Sequence, residues 1–157
     1  LQVQNADVLF AHTYRLGSLR IRETLDAYHG SQATRRRLME TQIQRVIDQV
    51  LQQVPAEHAQ EMVTLGGDMR FAAGQIIADW DPDGLTRIPL SDLEKLTDTV
   101  LSLNEDKLVH KYHITFPDAG TLGPALLAYT MLARAFELKQ VIVASINLRD
   151  GLLKEMA

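Results

Sequence analysis

The amino-acid sequence predicts an α/β domain in which helices pack on a small sheet. Three observations carry that expectation. Short apolar runs at 61–65 and 141–145 have the length and β-branched content of buried strands. Each run passes through a polar, glycine-containing turn into a helical pattern. Between them stand longer stretches with apolar residues at three- and four-residue steps, so strand and helix alternate along the chain.

Residues 6–13 are short and apolar and predict a strand. Leu16-Gly17 makes a turn, and Ser18 caps a helix over about 19–28. Gly30-Ser31 breaks it. Over 33–53, Leu38, Val46, Ile47, Val50 and Leu51 recur at helical spacing, and Pro55 ends this long amphipathic helix. A strand over 61–65 and a helix over 68–78 flank Gly66-Gly67. Trp80-Asp81-Pro82-Asp83-Gly84 is a loop, and 86–90 a brief extended segment. Ser91 at a cap, with Glu94 three residues on, predicts a helix to about Leu103. A short helix covers 105–112, Pro117 interrupts, and 122–138 forms an apolar helix. A strand over 141–145 and a final helix complete the order. About three strands are evident, few for an α/β domain standing alone.

The 157 residues suit a single domain over 1–157, long enough to bury about two-thirds of its unfolded surface. No apolar run approaches the roughly 18 residues of a membrane span, and no basic-then-apolar leader opens the chain. The absence of cysteine excludes disulfides and thiolate chemistry and fits a reducing, cytoplasmic location. A net charge of −4 argues against nucleic acid as the main partner. The first residue is Leu rather than Met, which suggests a piece of a longer protein.

The stretch Val63-Thr64-Leu65-Gly66-Gly67-Asp68-Met69-Arg70 carries the most chemical information. Strand, Gly-Gly, helix is a geometry that offers bare amide N–H groups and a positive helix end to an anion. It is also the geometry of a tight strand-to-helix turn with no ligand. Asp68 is poor company for a phosphate, since two unit charges about 4 Å apart repel by roughly 4 kcal/mol at an effective dielectric near 20. Its carboxylate either caps its own helix, pairs with Arg70, holds a metal, or accepts from a sugar or base.

Other groups are weaker candidates. Arg15, Arg20 and Arg22, with Arg35-Arg36-Arg37, are two basic clusters in an acidic chain, suited to polyphosphate or to a solvated helix face. His110 and His113 stand three apart, as two ligands on one helical face would. Asp81-Pro82-Asp83-Gly84 opens like a calcium loop but lacks the later acidic ligand, and reads as a turn. Arg149 and Asp150 follow the last strand, at the end where open α/β sheets bind ligands, and suit either cleft orientation or a local ion pair.

Taken together, Gly66-Gly67-Asp68, the closing Ser145-Ile146-Asn147-Leu148-Arg149-Asp150-Gly151-Leu152-Leu153 and the early Leu16-Gly17-Ser18-Leu19-Arg20-Ile21-Arg22-Glu23 resemble the second half of the exopolyphosphatase / guanosine pentaphosphate phosphohydrolase (Ppx/GppA) family. The resemblance spans residues 6–157 in the family's order. It implies an actin-like, ribonuclease H-like C-terminal lobe with a small mixed sheet. The family's opening strand, with its glycine-rich phosphate loop, has no counterpart here, so the sheet is expected to lack its first strand unless residues 1–4 supply a remnant.

The same resemblance implies a parent hydrolase that releases terminal phosphate from inorganic polyphosphate or pppGpp, assisted by magnesium. The catalytic Glu belongs to the missing N-terminal lobe. This chain alone is therefore expected to be inactive, to bind no metal by itself, and to form one cleft wall with Gly66, Gly67, Asp68, Arg70 and Arg149. Three positions depart from the family pattern: Asp68 where a Thr is usual, Asn147 for Gly, and Asp118 where an Arg precedes Ala119. They motivate an alternative, a catalytically decayed module that senses a nucleotide or polyphosphate or dimerises through helix 33–53. A sugar-kinase-like member of the actin-like superfamily is a third reading.

Overall fold

A computed structural model describes residues 1–5, 7–26, 30–54 and 61–144. Two strands, β1 (Gln2–Gln4) and β2 (Asp7–Phe10), precede helices α1 (Ser18–Asp26) and α2 (Gln32–Gln53). Next come β3 (Val63–Leu65), α3 (Gly67–Ile76), β4 (Thr86–Pro89), α4 (Leu90–Ser102), α5 (Glu105–Tyr112), α6 (Phe116–Ala135) and β5 (Gln140–Ala144). The α/β class with a small mixed sheet is as the sequence indicates. The final helix expected after 145 lies outside the described residues.

The sheet has the order β3-β5-β4. β5 pairs in parallel with β3, Val63 opposite Ile142 and Leu65 opposite Ala144, and antiparallel with β4, Thr86 opposite Val143. Val141, Ile142, Val143 and Ala144 are all buried, because the central strand has a neighbour on each edge and protein on each face. That burial is why the sequence reads there as an unbroken apolar run rather than an alternation.

Residues 6–13 behave differently from expectation. Their strand, β2, pairs only with β1, as a separate antiparallel ribbon with Val3 beside Val8. Val3, Val8 and Leu9 remain exposed. Within residues 1–4, Gln2–Gln4 thus form a strand, but not one that completes the three-stranded sheet. Short apolar runs predict strands without saying which partner they find.

α6 is the centre of the molecule. Ala119, Leu122, Leu126 and Ala133 join Met69, Ile88, Leu93, Val100 and Val143 in the larger core, while Leu127 closes a second core with Ile21, Met39, Ile43 and Ile47. A helix buried on nearly every side shows little periodicity, which is why its start differs from the one the sequence indicates. It begins at Phe116 rather than 122, with Thr115 as N-cap and Pro117 in the first turn, where a missing N–H removes no helical bond. Small residues let neighbours close in: a Cβ on Gly120 would fall 2.4 Å from the Arg22 guanidinium, and one on Gly123 would fall 2.9 Å from Leu101.

The end of α6 is also three residues earlier than 138. Phe136 is the C-cap, Glu137 takes a left-handed φ of 54°, and Leu138 N–H returns to Ala133 O at 3.0 Å. This is the glycine-type helix stop built with a glutamate. Glu137→Gly should therefore raise stability by about 0.5–1 kcal/mol, read as a shifted urea midpoint. An unchanged or lowered midpoint would contradict it.

The expected Ser91 cap is corrected as well. Pro89 is the N-cap of α4, Leu90 is its first residue, and Ser91 lies inside the first turn. Pairing of β4 with β5 fixes Pro89 opposite Gln140, and Leu90 N–H donates to Lys139 O at 2.8 Å, so the sheet sets where the helix begins.

A candidate phosphate-facing turn

β3 and β5 run parallel, so their C-terminal ends share one edge of the sheet. The chain leaves that edge at Gly66, whose φ of 127° and ψ of 163° are open essentially to glycine alone. α3 starts at the next residue. Its N-cap is Gly66, with no side chain to satisfy the first-turn amides, and the earliest bond back is Arg70 N–H to Gly66 O at 3.2 Å. Met69, Ala72 and Ala73 anchor the other face of α3 in the core, which holds the amides at the sheet edge.

Asp68 lies half-buried in this first turn. Its carboxyl pKa is raised, first by desolvation and then by the nearby charge of Asp118, against a partial lowering by its own backbone amide. The side chain makes no ion pair with Arg70 among the described residues. Arg70, two residues on, is half-buried. Asp118 has a local explanation: the Thr115 hydroxyl donates to Asp118 Oδ2 at 2.6 Å and accepts from Asp118 N–H at 3.3 Å, a reciprocal cap on α6.

Sequence reasoning missed Tyr129. From α6 its hydroxyl donates to Leu65 O at 3.1 Å, and a Cβ on Gly66 would lie 3.9 Å from the hydroxyl oxygen. Burial, then the Asp68 charge, raises the phenol pKa. A lone tyrosine within an apolar helical run carries no signal of a contact 64 residues away.

The remaining candidates separate from the turn. Arg22 pairs with Glu105 at 3.5 Å, and Arg36 with Glu40 and Asp98, both at 2.9 Å. Arg15, Arg20 and Arg37 are exposed. A groove of about 600 Å³ between α2, α4 and α6 is lined by Arg36, Arg37, Arg45 and Arg134, but equally by Glu40, Asp48, Glu94 and Asp98. Its mixed signs do not make a polyanion cradle. His110 lies in the last turn of α5, whereas His113 is the left-handed C-cap, so the two do not share a helical face. Asp81 Oδ1 accepts Asp83 N–H at 2.9 Å, the turn expected there. Asn147, Arg149 and Asp150 lie outside the described residues. Among the described residues no three His, Asp or Glu side chains stand together as a metal site, and no helix is long and apolar enough to cross a membrane.

The architecture is an α/β fold of the actin-like kind, with a glycine turn at the edge where the parallel strands β3 and β5 end. It matches solved Ppx/GppA structures throughout. A type II variant of the Aquifex aeolicus Ppx/GppA phosphatase superposes with a TM-score of 0.81 at 18% identity, over 99% of this chain and 52% of that one. Another structure of the Aquifex aeolicus enzyme gives 0.78 at 17% identity, over 98% and 51%. An exopolyphosphatase-like protein gives 0.75 at 14%, over 90% and 48%. The chain thus has the fold of about half of a Ppx/GppA phosphatase. No known family profile and no curated protein matches it.

Proposed function

We propose that residues 1–157 are the C-terminal lobe of a two-lobed phosphohydrolase that releases terminal phosphate from inorganic polyphosphate or pppGpp. The observation that carries the reading is the fold match over 99% of this chain to half of a Ppx/GppA phosphatase. The uncapped start of α3 at the strand edge supports it, because amide N–H groups and the positive helix end suit a phosphate. In this scheme Gly66, Gly67 and Arg70 orient the phosphate chain along one cleft wall, with Arg149 on the same edge. The N-terminal lobe contributes the catalytic Glu and glycine-rich loop.

Two further features fit a lobe within a longer protein. β3 pairs with β5 on one side only, and Val63 and Leu65 are 57% and 52% exposed, as a missing neighbouring strand would leave them. Among the described residues no three His, Asp or Glu side chains cluster, and the magnesium that the resemblance implies would belong to the full-length protein. A dimer through α2 would have to use its polar outer face, because Met39, Ile43 and Ile47 are buried inward.

The test is phosphate release by the full-length protein with magnesium, offered polyphosphate and pppGpp in parallel. Release from either is expected, abolished by substituting the N-terminal-lobe Glu. Binding without release would instead favour the sensor reading, which the departures at Asp68, Asp118 and Asn147 motivate. Neither binding nor release would end both.

A further inference from the structure

We propose that Tyr129 is a positioning residue for the phosphate-facing turn: its hydroxyl pins the last carbonyl of β3 and so holds Gly66 in the conformation that aims the first amides of α3 at the ligand. The ligand half of this inference rests on the phosphohydrolase reading. The turn half rests on geometry alone. Tyr129 reaches across from α6 to donate to Leu65 O at 3.1 Å, and its hydroxyl oxygen stands 3.9 Å from where a Gly66 Cβ would be. One hydroxyl thus abuts both the strand's final residue and the glycine that turns the chain.

The consequence is both mechanical and electrostatic. α6 is the most buried of the described helices, with Leu126, Leu127, Thr130 and Ala133 buried around Tyr129. A contact from it ties the turn to the most constrained element available. A carbonyl at the end of a strand is an acceptor, and an unengaged carbonyl beside an arriving phosphate repels its oxygens. The phenol proton occupies that carbonyl instead. Burial and the neighbouring Asp68 charge oppose ionisation, so the proton stays in place throughout the neutral range. Gly66, at φ 127°, has no side chain with which to hold its own conformation, so the restraint has to come from outside the turn.

The experiment compares full-length wild type and Tyr129→Phe, using tripolyphosphate as the probe. Backbone order parameters at Gly66, Gly67 and Asp68 should fall from the rigid value of about 0.85 toward about 0.6, with β5 and α4 unchanged. KM for tripolyphosphate should rise about fivefold while kcat stays within about twofold, the loss of one neutral hydrogen bond being felt in binding. Unchanged order parameters and KM would overturn the proposal. So would loosening spread evenly over β3, α3 and α6, or an unchanged KM with a reduced kcat, since those mark a purely structural role. A wild type that neither binds nor hydrolyses tripolyphosphate would remove the polyphosphate form of the phosphohydrolase reading. The order parameters would then decide the pinning by themselves.

Discussion

Asp68→Asn should tighten tripolyphosphate binding by the full-length protein about 10- to 100-fold, measured by calorimetric titration at fixed ionic strength. An unscreened unit charge about 4 Å from a phosphate oxygen would repel it by roughly 4 kcal/mol at a dielectric near 20. Asp68 is only half-buried, so solvent removes much of that. Asn keeps the shape and deletes the charge. An unchanged affinity would place the phosphate away from this turn.

The same substitution has a pH signature. The folded-state pKa of Asp68 stands above that of a free carboxyl, by desolvation first and the Asp118 charge second. Folding therefore favours the protonated form. The stability linked to this group is complete below the unfolded carboxylate range and declines as pH rises through the folded pKa. Asn does not titrate, so the variant escapes the decline. It should be more stable than wild type by about 0.5 kcal/mol at pH 7, comparable to relief of one like-charge contact, and show no advantage near pH 3. Urea unfolding at the two pH values reads this directly. Parallel curves would mean that Asp68 is not strained in the folded chain.

Gly66→Ala should cost about 2 kcal/mol, whereas Gly67→Ala should cost nothing. At Gly66 an added Cβ meets nothing closer than the Tyr129 hydroxyl at 3.9 Å, so the penalty is backbone conformation rather than collision. At Gly67 the φ is ordinary, open space surrounds the position, and the residue is helical, where alanine is preferred. For a chain of this length the first variant should lower Tm by roughly 4–8 °C. Equal effects at the two glycines would show that the turn relaxes out of its positive φ. In the full-length protein Gly66→Ala should also weaken tripolyphosphate binding, because the amides of α3 would lose their direction.

What could be read from the chain, and what could not, follows from how far each residue's partners lie along it. β3, the Gly66-Gly67 turn, α3 and β5 were legible because their signals are local: a short apolar run, two glycines, and helical spacing thereafter. α2 was legible because its buried residues line one face. The termini of α6 were not, because a helix surrounded by protein lacks a polar face, and because Pro117 breaks a helix interior but is welcome in a first turn. Its stop at Glu137 was hidden for lack of the usual glycine.

The candidate site divides in the same way. Gly66, Gly67, Asp68 and Arg70 were found as a contiguous motif, and the structure places all four at the sheet edge. Asp118 was noticed as an oddity, and its capping bond with Thr115 now accounts for it. Arg149 lies outside the described residues.

By itself the sequence determined the α/β class, the resemblance to half of a Ppx/GppA phosphatase, and the glycine turn between β3 and α3. Those depend on residue order within short windows. Only the tertiary structure decided that β1 and β2 stand apart from the main sheet, that Asp68 senses Asp118, and that Tyr129 holds Leu65. Each of these brings together groups separated by many residues, and no local propensity records which distant side chain the packing of α6 will deliver.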